Sequence, residues 1–258
     1  MTRKLLFVLA LILAAASTAF GGFLNGGFES GDFTGWTLGA GWWCDNGVPC
    51  SMSALDPANY LPGGQYYDIS ANASAVVTSY ADPYTDNKLN SVYAGTYAAR
   101  VNDSNNNYSV SVISQTVNNY TDPFIYFAWA AVLESSHGPT DSDNFGLKLT
   151  DDTSGATLYS ATYNSANTPP GLFTQSSWGW YYTSWQVQQL DVSKLSGDTF
   201  TLTLLGSDCP YGGHAGYVYL DGFGAVAPPS GTPEPATLAL MALGLGGVLV
   251  YRSRRRRA

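Results

Sequence analysis

The 258-residue sequence is poor in basic residues, histidine and cysteine, with 11 Lys and Arg, 2 His and 3 Cys. Seven of the basic residues stand in the first four and the last seven positions. The interior, residues 20–226, holds the other four and all of the acids except Glu234, which is four basic side chains against eighteen acidic ones and a net charge of −14. Such an interior repels nucleic acid and anionic lipid, and it has no basic patch to reverse that repulsion. We therefore expect no nucleic-acid partner.

The sequence also lacks the motifs of common catalytic sites. It contains no Gly-x-Ser-x-Gly, no His-Glu-x-x-His and no phosphate-cradling glycine loop. His137 stands in a turn-like Ser-Ser-His-Gly-Pro segment and His214 in Gly-Gly-His-Ala-Gly, and neither has metal-ligand spacing to a cysteine. A glycosidase would need two carboxyl groups across a cleft, which spacing on strands cannot reveal. We predict no enzyme and no catalytic residue.

The two longest apolar runs lie at the two ends of the chain. At the N-terminus, Arg3 and Lys4 precede the apolar stretch Leu5–Ala16 and the small residues Ser17, Thr18 and Ala19. This order is typical of a secretory signal peptide, here residues 1–19 with cleavage after Ala19. The mature protein is therefore expected outside the cytoplasm.

At the C-terminus, three short features follow one another. Pro233, Glu234 and Pro235 precede the apolar run Leu238–Val250, which is shorter than the ~20 residues that span a bilayer comfortably. An arginine cluster ends the chain: Arg252, Arg254, Arg255, Arg256 and Arg257. By the positive-inside bias these arginines stay cytoplasmic. A permanent single-span anchor is the alternative prediction for this segment.

This three-part tail, residues 233–258, resembles the PEP-CTERM sorting signal of Gram-negative bacteria. The resemblance implies a hydrophobic sorting helix held in the inner membrane until an exosortase cuts near Pro233-Glu234-Pro235. It further implies release of the body to the cell surface or extracellular matrix. The two targeting segments leave 20–226 as one domain and 227–232 as a linker.

The sequence of residues 20–226, called the body below, predicts an all-β fold. Short β-prone runs alternate with Gly, Asn and Ser turns, and no amphipathic helix of normal length stands out. In Phe200-Thr-Leu-Thr-Leu, the three apolar residues share one face, and Tyr108, Val110 and Val112 share a face before Ile113 interrupts the alternation. Eight strands are predicted in two packed antiparallel sheets, a β-sandwich of the jelly-roll type: 74–80, 108–117, 124–133, 144–149, 158–163, 184–190, 199–205 and 216–226.

Cysteine usage fits an oxidising compartment. Cys44 and Cys50 are six positions apart in a loop-like stretch, which favours a local disulfide between them and leaves Cys209 over. Three pairings are possible, and the sequence does not decide among them.

A second resemblance covers nearly the whole body. The opening Asn25-Gly-Gly-Phe-Glu29 and the closing Tyr217-Val-Tyr-Leu-Asp221 resemble the galactose-binding-like jelly roll of many carbohydrate-binding modules. In that fold a carboxylate from each end commonly holds a structural Ca²⁺, which implies Glu29 and Asp221 as ligands, with carbonyls near Gly27 and Ala94. The alternative is that Glu29 caps a turn and Asp221 accepts backbone amides.

A second acidic stretch is Asp141-Ser-Asp143-Asn-Phe-Gly146. Phe145 stands in the fifth position, where a calcium loop needs an oxygen ligand, and a β pattern surrounds the stretch. We predict a solvated turn.

Aromatic residues concentrate in two stretches. Sugar rings stack on such side chains, so the candidates for a glycan site are Trp42, Trp43, Trp178, Trp180 and Tyr182. The alternative is an ordinary sandwich core, which is also rich in Trp and Tyr.

Together these features predict an exported, non-catalytic surface or matrix protein that binds exopolysaccharide or a cell-surface glycan weakly. A structural or adhesive protein without a discrete ligand is the second hypothesis, and a glycan hydrolase is the third.

Overall fold

A computed structural model describes residues 22–45, 47–224 and 226–227. Twelve strands are present in these residues: β1 (Thr37–Trp42), β2 (Ala75–Thr78), β3 (Tyr97–Val101), β4 (Ser109–Val117), β5 (Phe124–Glu134), β6 (Asn144–Asp151), β7 (Ala156–Asn164), β8 (Phe173–Gln175), β9 (Trp180–Thr183), β10 (Gln186–Asp191), β11 (Phe200–Ser207) and β12 (Gly216–Gly224). The helices are single 3₁₀ turns: Met52–Leu55, Pro57–Asn59, Ile69–Ala71 and Pro83–Thr85.

The predicted targeting segments, 1–19 and 233–258, lie outside the described residues. None of the helices in the described ranges is long and apolar enough to cross a bilayer.

The strands form two antiparallel sheets, which confirms the predicted all-β sandwich. The first sheet has five strands in the order β1-β4-β11-β6-β7. The second has seven strands, in which β2, β3, β12 and β5 follow one another. Because β5 is eleven residues long, its other edge pairs with β10 along 124–129 and with β9 along 132–134.

The main core lies between the two sheets. Phe127 and Trp129 of β5 meet Ile113 of β4 and Leu147 of β6 there, and all four are buried. Phe200, Leu202 and Leu204 of β11 share this face, as their alternation predicts. Each buried side chain of this size contributes about 1.5–3 kcal/mol, so this layer holds the sheets together.

The outer face of the five-stranded sheet is also covered. Trp43 and Tyr60 lie over Val110, Val112 and Leu205 in a second buried cluster. Ile113 does not interrupt the β4 pattern as the sequence suggested. It points into the main core, while the two valines face outward beneath the covering segment, residues 43–66.

The outer face of the seven-stranded sheet carries a third cluster. Tyr217 and Tyr219 of β12 both donate to Asp82 Oδ2, at 2.6 and 2.8 Å. Trp180 and Leu89 pack into the same cluster. Each sheet therefore also buries apolar residues on part of its outer face, whereas an antiparallel sheet with one face in water is polar on that face.

A disulfide joins Cys44 to Cys50 in the covering segment. Cys209 is unpaired and buried. Of the three pairings that the sequence allows, the structure thus contains the local one.

Candidate functional site

The structure separates the five aromatic candidates into two groups. Trp43 is fully buried, Trp180 is 5 % exposed and Tyr182 is 7 % exposed, so none of the three can offer a ring face to a sugar. The sequence prediction was wrong for these three residues. Other residues cover these rings. Trp43 packs within the covering segment, and the ring of Tyr84 lies over Trp180, with the two ring centroids 4.3 Å apart.

Trp42 and Trp178 remain accessible. Trp178 lies in the turn between β8 and β9 and is 72 % exposed. Trp42 is the last residue of β1 and is half-buried. It lines a cleft of about 370 Å³, whose described lining residues are Trp42, Gly47, Val48, Gln65, Tyr66, Tyr67 and Asp68.

One disulfide and one backbone hydrogen bond hold the walls of this cleft in place. The disulfide between Cys44 and Cys50 closes the short loop that contributes Gly47 and Val48. The opposite wall is tied to the sheet, because Asp68 N donates to the carbonyl of Ala40 in β1 at 2.8 Å.

Gly41 lets the two walls approach. A Cβ at this position would come within 2.2 Å of the carbonyl oxygen of Tyr66, a distance that no side chain tolerates. The glycine in β1 is thus required by the segment that crosses over it.

Asp68 fixes the indole and keeps a negative charge in the cleft. Its Oδ2 accepts a hydrogen bond from Trp42 Nε1 at 3.2 Å, and its Oδ1 accepts from both N and Oγ of Ser70. The Ser70 hydroxyl, the Ser70 amide and then the indole lower the pKa of Asp68 below its usual value. The carboxylate is ionised and acts as an acceptor, as at a helix N-cap.

The cleft combines flat rings with hydrogen-bonding groups. Trp42, Tyr66 and Tyr67 supply the rings, and Gln65 and Asp68 supply an amide and a carboxylate. This set suits a ligand with one apolar face and hydroxyls at its edge. Among the described lining residues Asp68 is the one acid.

Sequence reasoning found Trp42 but missed Gln65, Tyr66, Tyr67 and Asp68. The sequence does contain a sign of this wall, because two tyrosines flanked by Gln65 and Asp68 directly follow Gly63-Gly64. Its position against Trp42 depends on tertiary contacts that no local pattern encodes.

Glu29 and Asp221 converge, as the resemblance implied. Gly27 lies between them, since a Cβ there would be 3.7 Å from both Asp221 Oδ1 and Glu29 Cγ. Asp221 Oδ2 accepts from the amides of Tyr93 and Ala94, at 3.0 and 2.9 Å. Glu29 accepts from the amides of Thr96 and Tyr97.

Burial is the main reason that the pKa of Asp221 rises to about 7, against the lowering effect of its amide partners, and the nearby Glu29 charge adds to the rise. A divalent cation beside the pair would offset that repulsion. The carboxylate oxygens, however, already serve as amide acceptors. Among the described residues, no three His, Cys, Asp or Glu side chains enclose a point that suits a metal ion.

The second acidic stretch is not a solvated turn throughout. Asp143 is fully buried, and its Oδ1 accepts from Ser165 Oγ at 2.6 Å while its Oδ2 has no partner. Desolvation raises the pKa of this carboxyl well above its usual value. The sequence prediction was wrong here because Asp143 directly precedes β6 and is buried, with its Oδ2 beside Gly216 of β12.

Residues 232–257 match the family model of the PEP-CTERM protein-sorting motif, which confirms the prediction for the tail. No curated protein sequence matches the chain.

Several solved carbohydrate-binding modules are similar in structure. One is TmCBM61 in complex with β-1,4-galactotriose, at 16% identity over 78% of this chain and 94% of that chain, with a TM-score of 0.39. Another is CBM27-1 of Caldicellulosiruptor saccharolyticus in complex with mannohexaose, at 13% identity over 80% and 96%, with a TM-score of 0.38. A third is CBM28, specific for non-crystalline cellulose, at 15% identity over 78% and 92%, with a TM-score of 0.37. No ligand of this chain follows from scores at this level.

Proposed function

We propose that this chain is an exported, non-catalytic protein of the cell surface or extracellular matrix of a Gram-negative bacterium, and that it binds glycan weakly through the Trp42 cleft. The sorting motif at 232–257 supports export and anchoring in the inner membrane before processing. The cleft supports glycan binding, because rings and hydroxyl-binding groups meet in one accessible cavity. The acidic body suits a neutral polysaccharide partner.

The glycan proposal is tested with the exopolysaccharide isolated from the producing bacterium. The mature exported protein is run through native gels that contain this polymer, and the retardation is compared among variants. Trp42→Ala and Tyr67→Ala are expected to weaken binding about tenfold or more each, since each removes a ring worth roughly 1–2 kcal/mol of contact.

Trp178→Ala is the matched control, because it removes an equally large and more exposed ring outside the cleft. If Trp178→Ala abolishes retardation and Trp42→Ala does not, the cleft is the wrong site. If the wild-type protein is not retarded at all, the chain is a structural or adhesive component without a discrete ligand. Release of sugars from the polymer would replace both hypotheses with a hydrolase.

Processing is the second element of the proposal. An exosortase recognises Pro233, Glu234 and Pro235 while the arginine cluster remains cytoplasmic. Intact mass measurement of the surface-exposed protein should show a C-terminus near these residues. Replacement of the three by alanine should leave the full tail on a membrane-bound product.

Structural calcium is the third element. Glu29 and Asp221 would hold the ion, which would stabilise the junction of the two chain ends without taking part in any reaction. Excess Ca²⁺ over EDTA should raise the melting temperature of the wild-type protein, and Glu29→Gln should reduce that rise. An identical melting temperature in EDTA and in Ca²⁺ would refute this element and leave the cleft hypothesis intact.

A further inference from the structure

A second cavity lies on the outer face of the five-stranded sheet, beside the covering segment. Its volume is about 200 Å³. The covering segment contributes Met52, Leu55 and Pro57, and the sheet contributes residues of β6, β7 and β11. None of its described lining residues lines the Trp42 cleft, so the two cavities are separate.

Gly146 of β6 forms part of the floor of this cavity. Its neighbours Phe145 and Leu147 belong to the main core, so position 146 faces outward. Gly146 pairs in regular register with Leu205 of β11 and Thr162 of β7. A Cβ at Gly146 would meet just one atom within 4 Å, Thr162 Oγ1 at 3.8 Å, so the space above this strand is open.

The open space distinguishes Gly146 from other glycines in the strands. Glycine weakens the interior of a strand, and it marks a bulge or a place where another backbone or a ligand comes close. A Cβ at Gly39 would lie 2.6 Å from the Tyr60 carbonyl oxygen, and one at Gly206 would lie 2.8 Å from that of Val101. Gly146 has neither a bulge nor a backbone group above it, which leaves a ligand as the reason for the glycine.

The walls of the cavity suit an aliphatic group. Met52, Leu55, Pro57 and Leu205 supply them, and Met52 is 37% exposed, so its flexible side chain lies at the mouth. Among the described lining residues Phe145 is the one aromatic, and its ring packs in the main core, so no flat ring is available to a sugar. Since a cavity of about 150 Å³ accepts benzene, this one accepts roughly eight non-hydrogen atoms.

Lys148 places a positive charge at the cavity. It is the one charged residue among those that line it, and it is one of four basic side chains in the body. It lies on the same face as Gly146, about 7 Å farther along β6. Ser160 and Thr203 flank it on the neighbouring strands. Neither ion pair among the described residues involves Lys148, so its ammonium is available to an anion.

We propose that this cavity binds a small amphiphile with an aliphatic chain of about six carbons and a carboxylate head. The chain lies over Gly146 between the covering segment and Leu205, and the carboxylate meets the Lys148 ammonium and the Ser160 hydroxyl. This ligand differs in class from the glycan proposed for the Trp42 cleft, because the Trp42 cleft offers aromatic rings and an acid instead.

The test uses hexanoate as the probe and the ¹⁵N-labelled mature exported protein, followed by amide NMR shifts. Hexanoate should shift the amides of Gly146, Thr162 and Leu205 with a dissociation constant on the order of 1 mM, as suits so small a ligand. Acetate should bind roughly tenfold or more weakly, because it lacks four methylene groups. Hexan-1-ol, which lacks the charge, should bind about threefold more weakly than hexanoate.

Gly146→Val fills the cavity and separates a ligand role from a structural one. It should abolish the hexanoate shifts and raise the melting temperature of the ligand-free protein, because a β-branched residue suits an open position in a strand better than glycine does. Lys148→Met should weaken hexanoate binding about three- to fivefold and leave hexan-1-ol binding unchanged. Lys194→Met, which removes a lysine outside the cavity, should bind both probes like the wild type.

Three results would each overturn the proposal. The first is the absence of hexanoate shifts at the cavity amides of the wild type. The second is a lower melting temperature of Gly146→Val, which would show that the fold itself requires the glycine. The third is equal hexanoate affinity in the wild type and Lys148→Met.

Discussion

Asp221 and Asp143 are both buried carboxyls beside other acids, yet the chain treats them differently. Asp221 Oδ2 accepts hydrogen bonds from two backbone amides, those of Tyr93 and Ala94. Asp143 Oδ1 accepts one from Ser165 Oγ, and its Oδ2 has no partner. Burial alone therefore does not define the role of an acid. The number of hydrogen-bond donors around the carboxylate matters as well. With enough donors, a buried carboxylate joins two loops; with too few, its charge is stabilised only by a proton or a cation.

The largest effect on the free energy of unfolding is expected for Asp221→Ala. The variant leaves two amides without an acceptor near the junction of β12 and the 93–97 loop, so the free energy of unfolding should fall by about 3 kcal/mol. Urea denaturation at pH 7 measures it. Glu29→Gln keeps an oxygen acceptor for Thr96 and Tyr97 and should cost less than about 1 kcal/mol. Equal losses in the two variants would contradict the structural role given to Asp221.

The next effect is the pH dependence of stability in metal-free buffer. Desolvation raises the pKa of Asp208 and Asp221 to about 7 and that of Asp143 well above its usual value. The folded state therefore holds protons that the unfolded chain releases near pH 4, so stability is fully present below pH 4 from these groups and is lost as pH rises toward 7. The free energy of unfolding should drop by on the order of 2 kcal/mol between pH 5 and pH 8.

Asp32, Asp68, Asp86, Asp151 and Asp191 act in the opposite sense below pH 4, because hydrogen bonds lower their pKa values. Stability should therefore peak near pH 4–5. A flat profile between pH 5 and pH 8 would show that the buried acids are ionised throughout.

The smallest effect is expected for Asp143→Asn. In metal-free buffer at pH 8, the amide removes a buried charge without a partner and should raise the free energy of unfolding by about 1 kcal/mol. The gain should shrink as the pH falls, because protonation of Asp143 in the wild type removes the charge that burial disfavours. Asp198→Asn serves as the control. A loss of stability at pH 8 would indicate that the Asp143 carboxylate has a partner after all.

The sequence predicted the strands with alternating or β-branched residues, and all eight appear at nearly the same positions. It missed β1, β3, β8 and β9. Thr37–Trp42 contains two glycines, and their presence follows from tertiary contact: a Cβ at Gly39 would lie 2.6 Å from the carbonyl of Tyr60. A local pattern predicts a turn there, whereas the covering segment 43–66 requires those glycines within a strand.

For the candidate sites, too, the sequence predicted what a resemblance or a local pattern indicates and missed what depends on tertiary contacts. Glu29 and Asp221 could be paired because a resemblance related the two chain ends. Trp42 and Asp68 could not, since 26 residues separate them in sequence. Trp180 and Tyr182 are buried because the loop 83–89 packs over the outer face of the seven-stranded sheet. Strand alternation alone cannot reveal such a covering loop.

The last strand of the chain has a central place in its sheet. β12 lies between β3 and β5, and Phe223 N donates to the Gly26 carbonyl near the beginning of the described chain. A polypeptide that emerges from its N-terminus cannot complete this sheet until about residue 224 is available. Closure of the sandwich therefore waits for β12, so the strand that separates β3 from β5 is among the last parts of the described chain to take its place in a protein that forms from its N-terminus.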